Sequence, residues 1–111
     1  MNSTIAERKA DPNRGTGRTT KLVEAAKAWA AEHPGCSVFY LCRTPRFASY
    51  LRRRHGDCGV RFESVDMDHR RLEGLLGLAF IDHDAREHLS FDMHATIRAL
   101  NATGPTGGRR P

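Results

Sequence analysis

Ser37-Val38-Phe39-Tyr40-Leu41-Cys42 is a short, β-rich run that is polar on neither face. A strand of that kind is buried on both sides, as strands of parallel sheets covered by helices are. Thr44-Pro45 follows almost at once. A threonine hydroxyl caps a helix, and proline suits its first position because its missing N–H would be unpaired there anyway. The spacing predicts a helix to about His55, with Phe47, Tyr50 and Leu51 turned inward and Gly56 as the stop.

Reading outward gives the same alternation. Upstream, residues 19–32 carry Leu22, Ala25, Ala26 and Trp29 at helical spacing, with Lys21, Glu24 and Lys27 off that stripe. His33-Pro34-Gly35 ends the pattern. Downstream, residues 60–65 alternate, as a strand with one less buried face does. Residues 68–76 read as a short helix with Leu72, Leu75 and Leu76, and residues 78–82 as a third strand. A helix is expected over residues 84–101, with a break near Ser90. It carries Leu89, Met93, Ile97 and Leu100 as a core stripe or a dimer seam. Strands alternating with helices predict an α/β fold, a small three-layer domain with a short parallel sheet of about three strands and flanking helices. Its expected extent is residues 14–101, between a flexible arm over 1–13 and a disordered tail over 102–111.

A chain of 111 residues suits one domain with a modest core. Lys and Arg number 18 against 13 Asp and Glu, a net charge of +5, which favours polyanions such as nucleic acid or nucleotide phosphates over acidic partners. No run approaches the length of apolar residues a membrane span requires. Three cysteines, Cys36, Cys42 and Cys58, without a targeting segment, predict free thiols and a cytoplasmic setting, with Cys36 and Cys42 in or near the core. The six histidines show no paired metal-ligand spacing: His55 and Cys58 lie three apart, and His83, Asp84, Glu87 and His88 merely cluster.

The chemistry concentrates at Arg14-Gly15-Thr16-Gly17-Arg18-Thr19-Thr20, directly before the first helix. Glycines let successive N–H groups turn inward around an anion, and a helix N-terminus adds a positive dipole end. A cation at the end of such a loop neutralises phosphate, and the neighbouring hydroxyl can ligate Mg²⁺. Gly17-Arg18-Thr19 stands where Gly-Lys-Ser/Thr stands in the Walker A pattern. The other reading is a glycine-containing linker with Thr19 as helix cap. A second motif is Leu78-Ala79-Phe80-Ile81-Asp82, an apolar strand ending in a carboxylate like Walker B; Asp82 or Asp84 capping the last helix is the alternative there.

On these residues the chain resembles the P-loop NTPase superfamily, and in particular the small, often phage-borne proteins whose loop reads Thr-Gly-Arg-Thr-Thr. The resemblance implies that Gly15, Thr16, Gly17, Arg18, Thr19 and Thr20 bind the phosphates of ATP or GTP. It also implies that Arg18 takes the lysine's role and that Thr19 and Asp82 hold Mg²⁺. It covers about residues 14–84. Three departures stand out. Pro12 occupies the pattern's first glycine, arginine replaces lysine, and His83 and Asp84 follow Asp82 where a catalytic Glu is usual. His83 and Asp84 are therefore the candidates for orienting a water. The family's first strand has no counterpart in residues 1–11, which leaves a minimal variant, an upstream start or a partner chain that completes the sheet as explanations.

Arg43 and Thr44 follow the first strand, where helicase-like members contact nucleic acid, so the resemblance makes them candidates for that role. Arg52, Arg53 and Arg54 form a basic run at a helix C-terminus, read either as favourable to the helix dipole or as a phosphate-backbone patch; no aromatic platform is expected among them. Three functions follow as expectations. They are a Mg²⁺-dependent nucleotide binder or NTPase, a non-catalytic module for DNA or RNA, and a degenerate scaffold working through a protein partner or a second copy.

Overall fold

The apolar run Ser37–Cys42 forms β1 and takes the centre of the sheet, the one place where both faces and both edges are covered. The computed structural model describes residues 13–103. Helix α1 (Asn13–Glu32) precedes β1. After β1 come α2 (Pro45–His55), β2 (Arg61–Ser64), a 3₁₀ turn at His69–Leu72, β3 (Gly77–Ile81), a second such turn at Arg86–His88, and α3 (Phe91–Thr103). The sheet order is β2-β1-β3, and both pairings are parallel. The domain is thus the expected small α/β fold with three strands and helices on both faces.

Side-chain alternation along β1 divides the core in two. Val38, Tyr40 and Cys42 face α1 and α2, joining Val23, Ala26, Ala30, Ala48, Leu51, Val60 and Phe62. Phe39 and Leu41 face the other way, onto Leu72, Ala79, Met93, Ile97 and Leu100. The stripe of α3 is therefore core. Its expected break lies at Ser90, whose hydroxyl accepts from Met93 N–H at 3.0 Å and starts α3 as a separate helix. Thr44 Oγ1 accepts from Phe47 N–H at 3.1 Å, and Gly56 ends α2 at φ 63°.

Several expectations are corrected. Helix α1 starts at Asn13 rather than Thr19: once the alanine-rich body has nucleated the helix, propagation carries it back through Gly15 and Gly17, against a cost of about 1 kcal/mol at each. Tyr50, expected inward, is 45 % exposed: the core side of α2 is set by Ala48 and Leu51, and Tyr50 lies away from it. Leu76 is likewise exposed, and the short helix after β2 shrinks to the turn His69–Leu72. On α1 the core contacts are Val23, Ala26 and Ala30, with Ala25 exposed and Leu22 and Trp29 at the margin. Cys42 is buried and Cys36 half-buried, and both are free thiols. Helix α3 continues to Thr103, into the segment expected to be tail. The expected arm up to residue 12, and residues 104–111, lie outside the described residues. Among the described residues, no helix is long and apolar enough to cross a membrane.

Strand β3 lies at an edge of the sheet, where unpaired backbone groups invite another strand. Helix α3 covers part of it. Asn101 Oδ1 accepts from Ala79 N–H at 2.8 Å, its Nδ2 donates to Ala79 O at 3.4 Å, and Thr103 Oγ1 accepts from Gly77 N–H at 3.1 Å. The Asn101 amide does for Ala79 what a neighbouring strand would do. An added strand would have to displace it. Asn101→Ala is expected to cost about 1–2 kcal/mol in urea denaturation, through two lost bonds to a strand in the core. A change below a few tenths would show that the edge does not depend on this cap.

Candidate functional site

Parallel strands with helices between them bring all strand C-termini to one edge, where open α/β sheets bind ligands. Asp82 follows β3 at that edge. Tyr40 pairs with Phe80 across the sheet, so Asp82, two residues beyond, projects on the same face as Tyr40. That face is the one α1 covers. Asp82 is buried, 1 % exposed, and its Oδ1 accepts two hydrogen bonds: from Tyr40 O–H at 2.5 Å and from Thr19 Oγ1 at 2.9 Å. One carboxylate oxygen thus ties together β1, β3 and the second turn of α1.

The other oxygen, Oδ2, is buried and has no hydrogen-bond partner among the described residues. Beside it in the chain is His83, whose Nδ1 is also buried, has no hydrogen bond among the described residues and stands 4.0 Å from Asp82 Oδ1. Burial pushes the Asp82 carboxyl above the usual carboxylate range; the hydrogen bonds from Tyr40 and Thr19 oppose that, and the neighbouring Asp84 carboxyl reinforces it. Burial likewise drives the Tyr40 hydroxyl far upward, with the Asp82 carboxyl adding to it, so Tyr40 keeps its proton and donates it to Asp82. Cys42, one alternation further along β1, is pushed up to about 12 by burial and by Asp82, which keeps it a thiol. Its Sγ–H reaches the Thr44 and Glu63 carbonyls at 3.6 and 3.5 Å.

The sequence candidates distribute as follows. Thr19 and Asp82 meet directly, although 63 residues separate them. Arg18 and Thr20 are exposed on the same helix turn. Gly15, Thr16 and Gly17 lie inside α1, where N–H groups from Gly17 onward face carbonyls four residues back. The wrapped loop expected of those amides is therefore not the conformation present. His83 and Asp84 adjoin Asp82, His83 half-buried and Asp84 exposed. Thr44 is a helix cap, with Arg43 exposed beside it. Arg52 is occupied: its Nε donates to Phe62 O at 3.1 Å, one terminal nitrogen to Ser49 Oγ at 3.3 Å, and the other stands 3.7 Å from Glu63. Arg53 and Arg54 are exposed.

Tyr40 was legible only as a core residue. The available signal was a phenol in an otherwise apolar strand, since a buried hydroxyl needs a partner.

Mg²⁺ requires hard oxygen ligands and retains several waters, taking one or two protein groups and completing its shell from phosphate. The Thr19 hydroxyl and the unshared Asp82 oxygen fit that role. Among the described residues no three His, Cys, Asp or Glu side chains gather as a metal site. The comparisons add no relative to this geometry: no family model, no curated protein and no solved structure matches the chain.

Proposed function

We propose that the chain binds the triphosphate of ATP or GTP together with Mg²⁺ at the corner formed by Thr19 and Asp82. The observation that carries the reading is the buried Asp82 carboxylate, with one oxygen committed to Thr19 and Tyr40 and the other without a hydrogen bond among the described residues. A buried carboxyl with an unsatisfied oxygen is costly for the free protein, and a cation with phosphate would compensate it. Thr19 and Asp82 would hold the metal, which would neutralise phosphate charge, and Arg18 would supply a further cation.

Phosphate would meet backbone N–H groups only if the first turns of α1 open. Gly15 and Gly17 ease that step, since each costs a helix interior about 1 kcal/mol relative to alanine. His83 and Asp84, which adjoin Asp82, would orient a water beside the phosphates, and turnover on that route is the extension of this proposal. Calorimetric titration with ATP and with GTP, with and without Mg²⁺, tests it. Binding that requires Mg²⁺ and weakens at least about tenfold in Arg18→Ala is expected, for the loss of one charge-assisted contact to phosphate. Absence of any nucleotide binding by a folded sample would remove the proposal.

A further inference from the structure

Helix α2 carries an exposed aromatic residue in a setting that helix stability alone does not account for. Tyr50 is 45 % exposed, and its ring lies nearly parallel to Phe47, with centroids 5.8 Å apart and planes inclined by 10°. Phe47 is half-buried and packed on the core, so it holds Tyr50 in place from one side. On a helix, the neighbours of Tyr50 are the residues three and four positions away. Apart from Phe47, these are Arg46, Arg53 and Arg54, all exposed. Among the described residues, none of Arg43, Arg46, Arg53 and Arg54 has an acidic partner. Helix α2 itself contains no Asp or Glu.

Local electrostatics explain part of this. Arg53 and Arg54 sit in the last turn, where cations interact favourably with the helix dipole. Arg46 sits in the first turn, where the same dipole disfavours a cation. Solvation alone is served better by mixed signs than by one. An aromatic ring stacked on one side and flanked along the helix by exposed arginines has the chemistry that single-stranded nucleic acid requires: cations track the phosphates while an unpaired base stacks on the ring. An acidic protein would use the charges and leave the ring idle. A duplex hides its base faces.

We propose that the outer face of α2 binds single-stranded nucleic acid, with Tyr50, backed by Phe47, as the base-stacking platform and Arg46, Arg53 and Arg54 as its phosphate contacts. Arg52 is not part of the surface, because its guanidinium is committed to Phe62, Ser49 and Glu63. The surface is independent of the nucleotide corner, although α2 starts at the same edge of the sheet.

The test is fluorescence anisotropy of the full chain with a labelled oligothymidine and its oligouridine counterpart, against a duplex and heparin. Binding to at least one single strand is expected to exceed binding to the duplex and to heparin, and to fall as salt rises. Tyr50→Ala should weaken it about tenfold with the salt slope kept, and Tyr50→Phe should leave it nearly unchanged. The double variant Arg53→Ala/Arg54→Ala should lower the slope of log affinity against log salt by about 1.4, as two single-strand phosphate contacts are lost. Tyr50 is at the surface, so circular dichroism of each variant should match the parent. Equal binding of duplex or heparin, a Tyr50→Ala affinity equal to the parent's, or no binding to either single strand would each overturn the proposal. Nucleotide binding at Thr19 and Asp82 would stand or fall separately.

Discussion

Gly77→Ala is expected to lower stability by roughly 3 kcal/mol or more, or to prevent folding, because the added carbon would meet backbone it cannot displace. Gly77 is the β3 residue paired with Ser37 of β1. A Cβ at Gly77 would stand 1.8 Å from Ser37 O, 2.7 Å from its carbonyl carbon and 2.9 Å from its nitrogen. A crowded side chain can rotate away, whereas a strand backbone is held on both sides. Relief requires β3 to move off β1 at this point, which breaks the 2.8 Å bond from Ser37 N–H to Leu76 O. The same movement would loosen the Gly77 bond to Thr103 and disturb the register that brings Asp82 to Tyr40. Urea denaturation checks it. Gly35→Ala is the control, since a Cβ there meets nothing within 4 Å. A Gly77→Ala midpoint equal to that of the control would contradict the close approach.

The second large effect is at Asp82, where two substitutions separate structure from binding. Asp82→Ala leaves the Tyr40 hydroxyl, which is completely buried, without its acceptor, and Thr19 without its tie to the sheet. A loss of about 2–4 kcal/mol is expected. Asp82→Asn keeps an oxygen for both donors and removes the charge. The parent carboxyl is held above its free value of 3.8, so the folded state binds the proton more tightly than the unfolded state does. That contribution is complete below 3.8 and is lost as pH rises through the raised folded value. The parent should therefore lose ground to Asp82→Asn as pH rises above about 4, the asparagine having nothing to titrate. Urea midpoints of both proteins at pH 4.5 and 7 measure this. A difference that does not change with pH would mean that burial does not hold the proton on Asp82. If Mg²⁺ and nucleotide bind as proposed, Asp82→Asn should fold yet lose the Mg²⁺-dependent part of the binding.

What was legible in the sequence were features carried by neighbours along the chain. The apolar hexapeptide, the Thr44-Pro45 start, the Gly56 stop and the break at Ser90 all depend on side chains acting within a few residues of themselves. Thr19 and Asp82 were legible as candidates because the sequence reads each as a junction of helix or strand with loop; that holds for Asp82, whereas Thr19 lies in the second turn of α1. The rotation of α2 was not legible: Phe47, Tyr50 and Leu51 fit one helical stripe on paper, and only the sheet beneath shows that Ala48 and Leu51 define the core side. That rotation decides whether Tyr50 is packing or platform.

The sequence by itself determined the three strands, the body of α1, α2 and the helix after Ser90, though not the turn that replaces the helix expected over residues 68–76; with the strand–helix alternation it determined the parallel, three-layer class. The tertiary structure alone decided what meets at the sheet edge. Placing β1 beside β3 in the register Tyr40 to Phe80 brings a phenol of one strand to a carboxylate after another, and α1 lays Thr19 across both. No local pattern encodes that meeting, because hydrogen bonds between residues 42 and 63 positions apart depend on strand order and register. Those in turn are set by the burial of two apolar faces at once, a property of the packed domain and of no single segment.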